Sequence, residues 1–224
     1  MAATKWTAMT SDSPQFDYLL NGYRRFREHG WQPEREKWAA LKDGQQPEVM
    51  VIACSDSRVD PSHIFDVSPG EIFVVRNVAA LVPPFEDTPG HHGVSAALEF
   101  AVQFLRVRQI VVLGHGMCGG CKAALTQSML GCEPGRGGFV ADWISLLDDV
   151  RADVAAKHGT VGLVAERAME QAGVKVSLAN LRTFPCVATK EARGDIKLTG
   201  AFFAISDGVL HLLDEDSGDF HPAR

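Results

Sequence analysis

The sequence predicts an α/β fold: a mostly parallel central β-sheet flanked by helices, with an N-terminal helical arm and a C-terminal edge hairpin. Three observations predict it. Short apolar runs at residues 49–53, 72–75 and 110–113 are continuous rather than alternating, the pattern of strands covered on both faces. Stretches with apolar residues at helical spacing separate and follow them. Near the end, residues 197–205 and 209–213 read as strands joined through Ser206-Asp207-Gly208, a turn signal.

Taken in order, residues 1–13 are polar and lack a charged segment, an apolar stretch and a cleavage site, so they do not read as a secretory leader. Phe16, Leu19, Leu20, Tyr23 and Phe26 recur at helical spacing within residues 16–31, and residues 33–41 form a second short helix behind Pro33. These make an arm over residues 1–44. An isolated amphipathic pair is not stable in water, so its apolar face must pack on the body or on another subunit.

In the body, residues 93–105 place Val94, Ala97, Leu98, Ala101 and Leu105 on one helical face. Residues 118–128 read as a helix, and further helical patterns follow at 139–156, 161–171 and 174–183. The Gly-rich stretch 131–138, with Pro134 and Arg136, is a connection between helices and not a phosphate cradle, because no strand precedes it. There is no internal repeat. With 224 residues and 46% apolar content, one domain over residues 1–224 is the expectation.

Charge and cysteine usage narrow the function. The 22 basic residues are scattered against 28 acidic ones, for a net charge of −6, so neither nucleic acid nor an anionic membrane is an expected partner. No apolar run reaches membrane-spanning length. Five cysteines at irregular spacing are too few and odd in number for a disulfide framework, which points to a cytoplasmic location and a metal or catalytic role.

In open α/β sheets functional groups gather beyond the carboxyl ends of strands, and two of the three strands end there in metal-ligand chemistry. Cys54-Ser55-Asp56-Ser57-Arg58 follows the first, and Gly114-His115-Gly116-Met117-Cys118-Gly119-Gly120-Cys121 follows the third. Cys54, His115 and Cys118 make a soft Cys₂His set that suits zinc and can leave a fourth position open. Cys118-x-x-Cys121 also has the spacing of a redox dithiol or a zinc knuckle, and helix geometry does not exclude Cys121 as a fourth ligand of a closed structural site. Asp56 and Arg58 beside Cys54 weigh against a purely structural site, which needs no carboxylate and guanidinium next to its metal.

The ordered motifs Cys54-Ser55-Asp56-Ser57-Arg58-Val59, Pro69-Gly70-Glu71, Val75-Arg76-Asn77-Val78-Ala79, Gly114-His115 and Cys118-Gly119-Gly120 resemble the β-class carbonic anhydrases. The resemblance is strong over residues 45–124 and loose beyond. It implies a zinc-dependent lyase that hydrates carbon dioxide reversibly to bicarbonate, with Cys54, His115 and Cys118 as zinc ligands. Asp56 and Arg58 would be its catalytic dyad, Asp56 accepting a hydrogen bond from the hydroxide nucleophile and so aiming its lone pair. Similarity to the plant-like branch further implies that Phe73, Val78 and Phe100 line a carbon dioxide slot and that Gln45 and the Gly119 N–H bind oxygen. It also implies a homodimer or higher homo-oligomer. Cys121 stands where the family commonly has an apolar residue. One branch of the family closes its site by moving the dyad aspartate onto the metal when bicarbonate fills a separate pocket. Val51 and Phe203 stand here where that pocket needs a Trp and a Tyr, so an open site is expected. A structural zinc or redox module, and a hydrolase of another heterocumulene such as carbon disulfide, are the alternatives.

Overall fold

The structure, a computed structural model, describes residues 13–223, which fall into two compact units divided between Gln45 and Gln46. The reading of residues 1–13 as no secretory leader therefore concerns residues outside the described ones, Ser13 excepted.

In the N-terminal unit, helix α1 (Pro14–Arg25) starts where the Ser13 hydroxyl accepts the Phe16 N–H and Pro14 presets the first helical φ. The chain runs on into a π-helical turn (Phe26–Trp31), and α2 (Arg35–Leu41) follows. Phe26 and Trp38 meet edge to face, with ring centroids 5.8 Å apart. Phe16, Tyr18, Leu19 and Tyr23 each stay more than half exposed within the chain.

The second unit begins with β1 (Val49–Cys54), the short α3 (Pro61–Ile64) and β2 (Ile72–Asn77). Helix α4 (Gly93–Glu99) then passes into a π-helical turn (Phe100–Leu105), which Arg106 ends in the left-handed region at φ 59°. Next come β3 (Gln109–His115), α5 (Gly119–Thr126), α6 (Gly138–Ile144), α7 (Asp148–His158), α8 (Leu163–Leu181) and α9 (Pro185–Ala192). Strands β4 (Lys197–Ala204), β5 (Val209–Leu213) and β6 (Phe220–Pro222) close the chain. The sheet order is β2-β1-β3-β4-β5-β6, parallel through β4 and antiparallel after it.

Strand β1 shows why the apolar runs are continuous. Met50 and Ile52 enter one core with Leu98, Val102, Ile110, Val174 and Leu178, while Val51 and Ala53 enter another with Val111, Leu113 and Ala201. Each large aliphatic side chain so buried contributes about 1.5–3 kcal/mol. Register then fixes what lies at the strand ends. Ala53 pairs with Leu113 and Cys54 with Asn77, so the loops that leave β1 and β3 start side by side.

Three local expectations are corrected, and two short helices are added. Residues 161–171 and 174–183 belong to one helix, α8, because Gly173 is only a weak breaker, about 1 kcal/mol worse than alanine, and is buried in contact range of Leu81 and Leu147. Residues 139–156 are not one helix: a 3₁₀ turn (Ser145–Leu147) divides them, with the Ser145 hydroxyl donating to the Asp142 carbonyl and Leu147 fully buried. The hairpin of β4 and β5 forms, but β6 is the sheet edge, because the turn after Leu213 closes through Asp214 N–H to the Asp219 carbonyl at 2.8 Å. The short helices α3 and α9 lack a long apolar period; each opens on a proline in its first turn, and Asp60 caps α3.

Candidate metal centre

Cys54 is the last residue of β1 and His115 the last of β3, while Cys118 is the N-cap residue of α5. All three are buried, and their ligand atoms lie within 4.8 Å of one another. Among the described residues this is the group of His, Cys, Asp and Glu side chains that could hold a metal ion, and it leaves out Cys121 and Asp56. The Cys54 and Cys118 sulfurs are 4.0 Å apart. Two sulfurs about 2.3 Å from a shared tetrahedral ion would sit roughly 3.8 Å apart.

Donor chemistry agrees with that spacing. His115 Nδ1 lies 2.9 Å from the Gly116 carbonyl, which can only accept, so Nδ1 carries the proton and Nε2 presents a lone pair. Among the described residues that Nε2 is buried without a hydrogen-bond partner. Both thiols are pushed up to about 12, Cys54 by its hydrogen bond to Cys118 and by burial, Cys118 by its hydrogen bond to Cys121 and by burial. A cation between the sulfurs removes that penalty, since a coordinating thiol is deprotonated outright. Burial opposes charge on His115, but Cys54, the Gly116 carbonyl and Asp56 together outweigh it and raise the imidazole overall. An orphaned imidazole nitrogen facing two crowded buried sulfurs is what a zinc-sized cation would satisfy.

Around this group, Arg58 grips Asp56 with two side-chain bonds, Nε to Oδ1 at 2.9 Å and Nη2 to Oδ2 at 2.6 Å, while its backbone N–H adds a third at 3.0 Å. The guanidinium holds the Asp56 carboxyl well below the usual carboxylate range. Arg58 Nη2 also donates to the Met117 carbonyl at 3.0 Å, so one side chain ties the two strand-end loops together. Arg76 donates to the Cys54 carbonyl (2.9 Å), the Asp56 carbonyl (2.7 Å) and Asp60 Oδ2 (2.8 Å). Behind the third ligand, buried Glu170 accepts the Cys118 N–H at 2.9 Å, and burial pushes its carboxyl up to about 6.

The expected substrate residues are dispersed. Val78 lies against Gly120, where a Cβ would stand 2.7 Å from Val78 Cγ1, and Gly119 opens α5 with an N–H that the helix itself does not pair. The Val78 carbonyl accepts the Trp143 indole N–H at 2.8 Å. Ala79 and Ala80 both take positive φ, 64° and 55°, and Asn77 closes the turn with paired bonds to Leu81. Val78 also lines an open groove of about 560 Å³ with Val94, Phe139 and Trp143. Phe73 pairs with Met50, four register steps before Cys54, roughly 13 Å along the strand at 3.3 Å per residue. Phe100 lies beside it, the two rings tilted by 36° with centroids 5.9 Å apart. One chain thus sets Val78 against Gly120, the neighbour of Gly119, and keeps Phe73 and Phe100 at a lower level of the sheet. Gln45 is the last residue of the N-terminal unit and is exposed.

Sequence reasoning missed Glu170 and Trp143. Glu170 had a signal: it shares the helical stripe of Val174, Ser177 and Leu181, all buried, where an acid is out of place. Trp143 had none, since an indole on a mostly apolar helix reads as packing.

The carbonic anhydrase family profile matches residues 49–210. The chain is 35% identical over 196 residues to a mitochondrial β-carbonic anhydrase of Arabidopsis thaliana, covering 87% of this chain and 66%, just under two thirds, of that protein. It is 36% identical over 202 residues to a carbonic anhydrase of Pseudomonas aeruginosa, covering 90% of this chain and 89% of the other. Among solved structures, the β-carbonic anhydrase CcaA superposes with a TM-score of 0.86 at 30% identity, covering 95% of this chain and 93% of that one. Fold, profile and relatives agree, and the chain belongs to the β-class carbonic anhydrases.

Proposed function

We propose that this protein hydrates carbon dioxide reversibly to bicarbonate and a proton at a zinc ion held by Cys54, His115 and Cys118. The observation that carries this reading is the unpartnered His115 Nε2 set beside two buried sulfurs at adjoining strand ends, with an Asp–Arg pair next to them. Zinc, when bound, supplies the Lewis acidity that brings the ionisation of water towards neutral pH. Two thiolates weaken that acidity, so orientation by the protein matters more. Asp56, kept ionised by Arg58, accepts a hydrogen bond from the nucleophilic water or hydroxide and so turns a lone pair towards carbon dioxide. The fork of the guanidinium fixes the carboxylate plane in a way a lysine ammonium would not. The Gly119 N–H is the donor proposed for a developing bicarbonate oxygen and Val78 a wall of the apolar slot; Phe73 and Phe100, which lie lower on the sheet within one chain, and Gln45 are proposed to be supplied by a second copy.

Support for an open site comes from Asp56 lying on Arg58 and outside the three-ligand group, and from Arg76 being occupied by Cys54, Asp56 and Asp60. The exposed apolar side chains of α1 support a homodimer or larger assembly. Five free thiols support a reducing compartment such as the cytoplasm. Among the described residues no helix is long and apolar enough to cross a membrane. Stopped-flow hydration of carbon dioxide with and without a chelator tests the proposal. Chelation should abolish activity and added zinc restore it; full activity in metal-free protein would refute it.

A further inference from the structure

The segment between the second and third ligands is under backbone strain. Met117 lies between His115 and Cys118 at φ 57°, a left-handed conformation that a residue with a side chain rarely adopts. Such a conformation persists only where its surroundings hold it, and the holders can be named. The Met117 carbonyl accepts Arg58 Nη2 at 3.0 Å, and the Gly116 N–H before it donates to the Phe203 carbonyl at 3.0 Å. The Cys118 N–H after it donates to Glu170 Oε1 at 2.9 Å, and the Met117 N–H also favours the charged form of that carboxylate. Turns around a left-handed residue point N–H groups at an anion, and here the buried Glu170 carboxylate takes the Cys118 N–H.

The fold is arranged to let that happen. Glu170 is buried on α8, 52 positions along the chain from Cys118. The helix reaches the end of β3 only because residue 114 is glycine: a Cβ there would stand 2.6 Å from Val174 Cγ2 and 3.7 Å from the Glu170 carbonyl. Glu170 belongs neither to the ligand group nor to any ion pair found among the described residues, so an acid that is costly to bury makes its contacts with the ligand-bearing turn.

We propose that Glu170 is a positioning residue for the metal site: by accepting the Cys118 N–H at the end of the strained turn it holds Met117 left-handed and so fixes the distance between His115 and Cys118. This rests on the zinc reading above and assigns the geometry of that site to a residue that is neither ligand nor dyad. A side chain of the same shape that cannot accept, as in Glu170→Met, should let the turn relax and pull Cys118 off line. Glu170→Gln keeps one acceptor oxygen and should keep most of the geometry. Glycine adopts left-handed φ without strain, so Met117→Gly should make the turn less dependent on Glu170.

The experiment measures zinc affinity by chelator competition and the absorption of the cobalt(II)-substituted protein in the unaltered chain, Glu170→Met, Glu170→Gln and Glu170→Met with Met117→Gly, alongside each thermal midpoint. Expected are a fall in zinc affinity of about 10–100-fold and a changed cobalt spectrum for Glu170→Met, the scale for losing an outer partner of a ligand. Glu170→Gln should recover most of both, and so should the double variant. If Glu170→Met shifts the thermal midpoint but neither zinc affinity nor the cobalt bands, Glu170 is only a packing residue and the proposal is overturned. If it fails to fold, equal affinity and spectra for Glu170→Asp, whose shorter arm cannot span the same gap, and for the unaltered chain would overturn it as well. If the unaltered chain binds neither metal, the zinc reading falls and takes this proposal with it.

Discussion

The two loops that carry the candidate ligands are held by opposite means. The loop after β1 is braced by its strand neighbour: Ser55 N–H continues the ladder to the Asn77 carbonyl at 2.8 Å, and Arg76, also on β2, clasps the Cys54 and Asp56 carbonyls and the Asp60 carboxylate. The loop after β3 also continues its ladder, Gly116 N–H to the Phe203 carbonyl at 3.0 Å, but it includes a left-handed Met117 and past that point is held by side chains from elsewhere, Arg58 and Glu170. Local bracing is redundant and tolerates loss; remote bracing concentrates the geometry in single contacts. Substitutions should therefore differ in effect according to the loop they touch.

The largest effect is expected where the loops meet. Cys54→Ala, His115→Ala and Cys118→Ala should each lose stoichiometric zinc and fall to background hydration, whereas Cys121→Ala, outside the ligand group, should keep both. Zinc content by atomic emission beside the hydration rate checks this. Loss of metal from Cys121→Ala would mean a closed four-ligand site and would remove the open position on which the proposed function depends.

Next comes the side chain that joins the loops. Asp56→Asn should lower kcat by about 10²-fold with zinc retained, the lower end of what a positioned proton acceptor contributes. Arg58→Lys should also act on kcat, because a lysine cannot reproduce the paired bonds to Asp56 together with the bond to the Met117 carbonyl. Equal loss of zinc in both variants would show that the pair serves the metal and not the nucleophile.

How much of this was legible follows the same division. The β1 loop could be read as a unit because its parts, Cys54 to Arg58 and then Arg76-Asn77, sit in short motifs at strand ends, and register alone brings them together. The alternation of apolar runs and helices was enough for a parallel sheet, since each run is long enough to be covered on both faces. Glu170 was illegible as a partner of Cys118 because the contact depends on where α8 crosses β3, and that crossing depends on the absent side chain of Gly114. The placement of Phe73 was legible only as a strand residue; its distance from the strand end needed the register. Helix continuity through Gly173 was misread because packing outweighs a single weak propensity.

The bracing of the first loop gives a stability effect without a catalytic one. Arg76→Gln removes two bonds to backbone carbonyls and one to a carboxylate in a half-buried setting, and hydrogen bonds involving a charged group are worth more than neutral ones. A loss of about 2 kcal/mol is expected, lowering the thermal midpoint by roughly 4–8 °C for a chain of this size. Differential scanning calorimetry at fixed protein concentration measures it, and an unchanged midpoint would show that the strand ladder alone holds the loop.

The smallest effect tests the redundancy itself. Asp60 both caps α3, accepting the Ser62 and His63 N–H groups, and pairs with Arg76 Nη1 at 2.8 Å. Asparagine is as good a cap as aspartate, so Asp60→Asn keeps the helix start and removes only the charge. With the Asp60 side chain 49% exposed, the lost ion pair should cost at most about 1 kcal/mol. Arg76 keeps its two carbonyl bonds, Cys54 stays in place, and zinc content and hydration rate should match the unaltered chain. A loss comparable to Arg76→Gln would mean that the bracing of Arg76 runs through Asp60, and the first loop would then depend on a remote side-chain contact as the second one does.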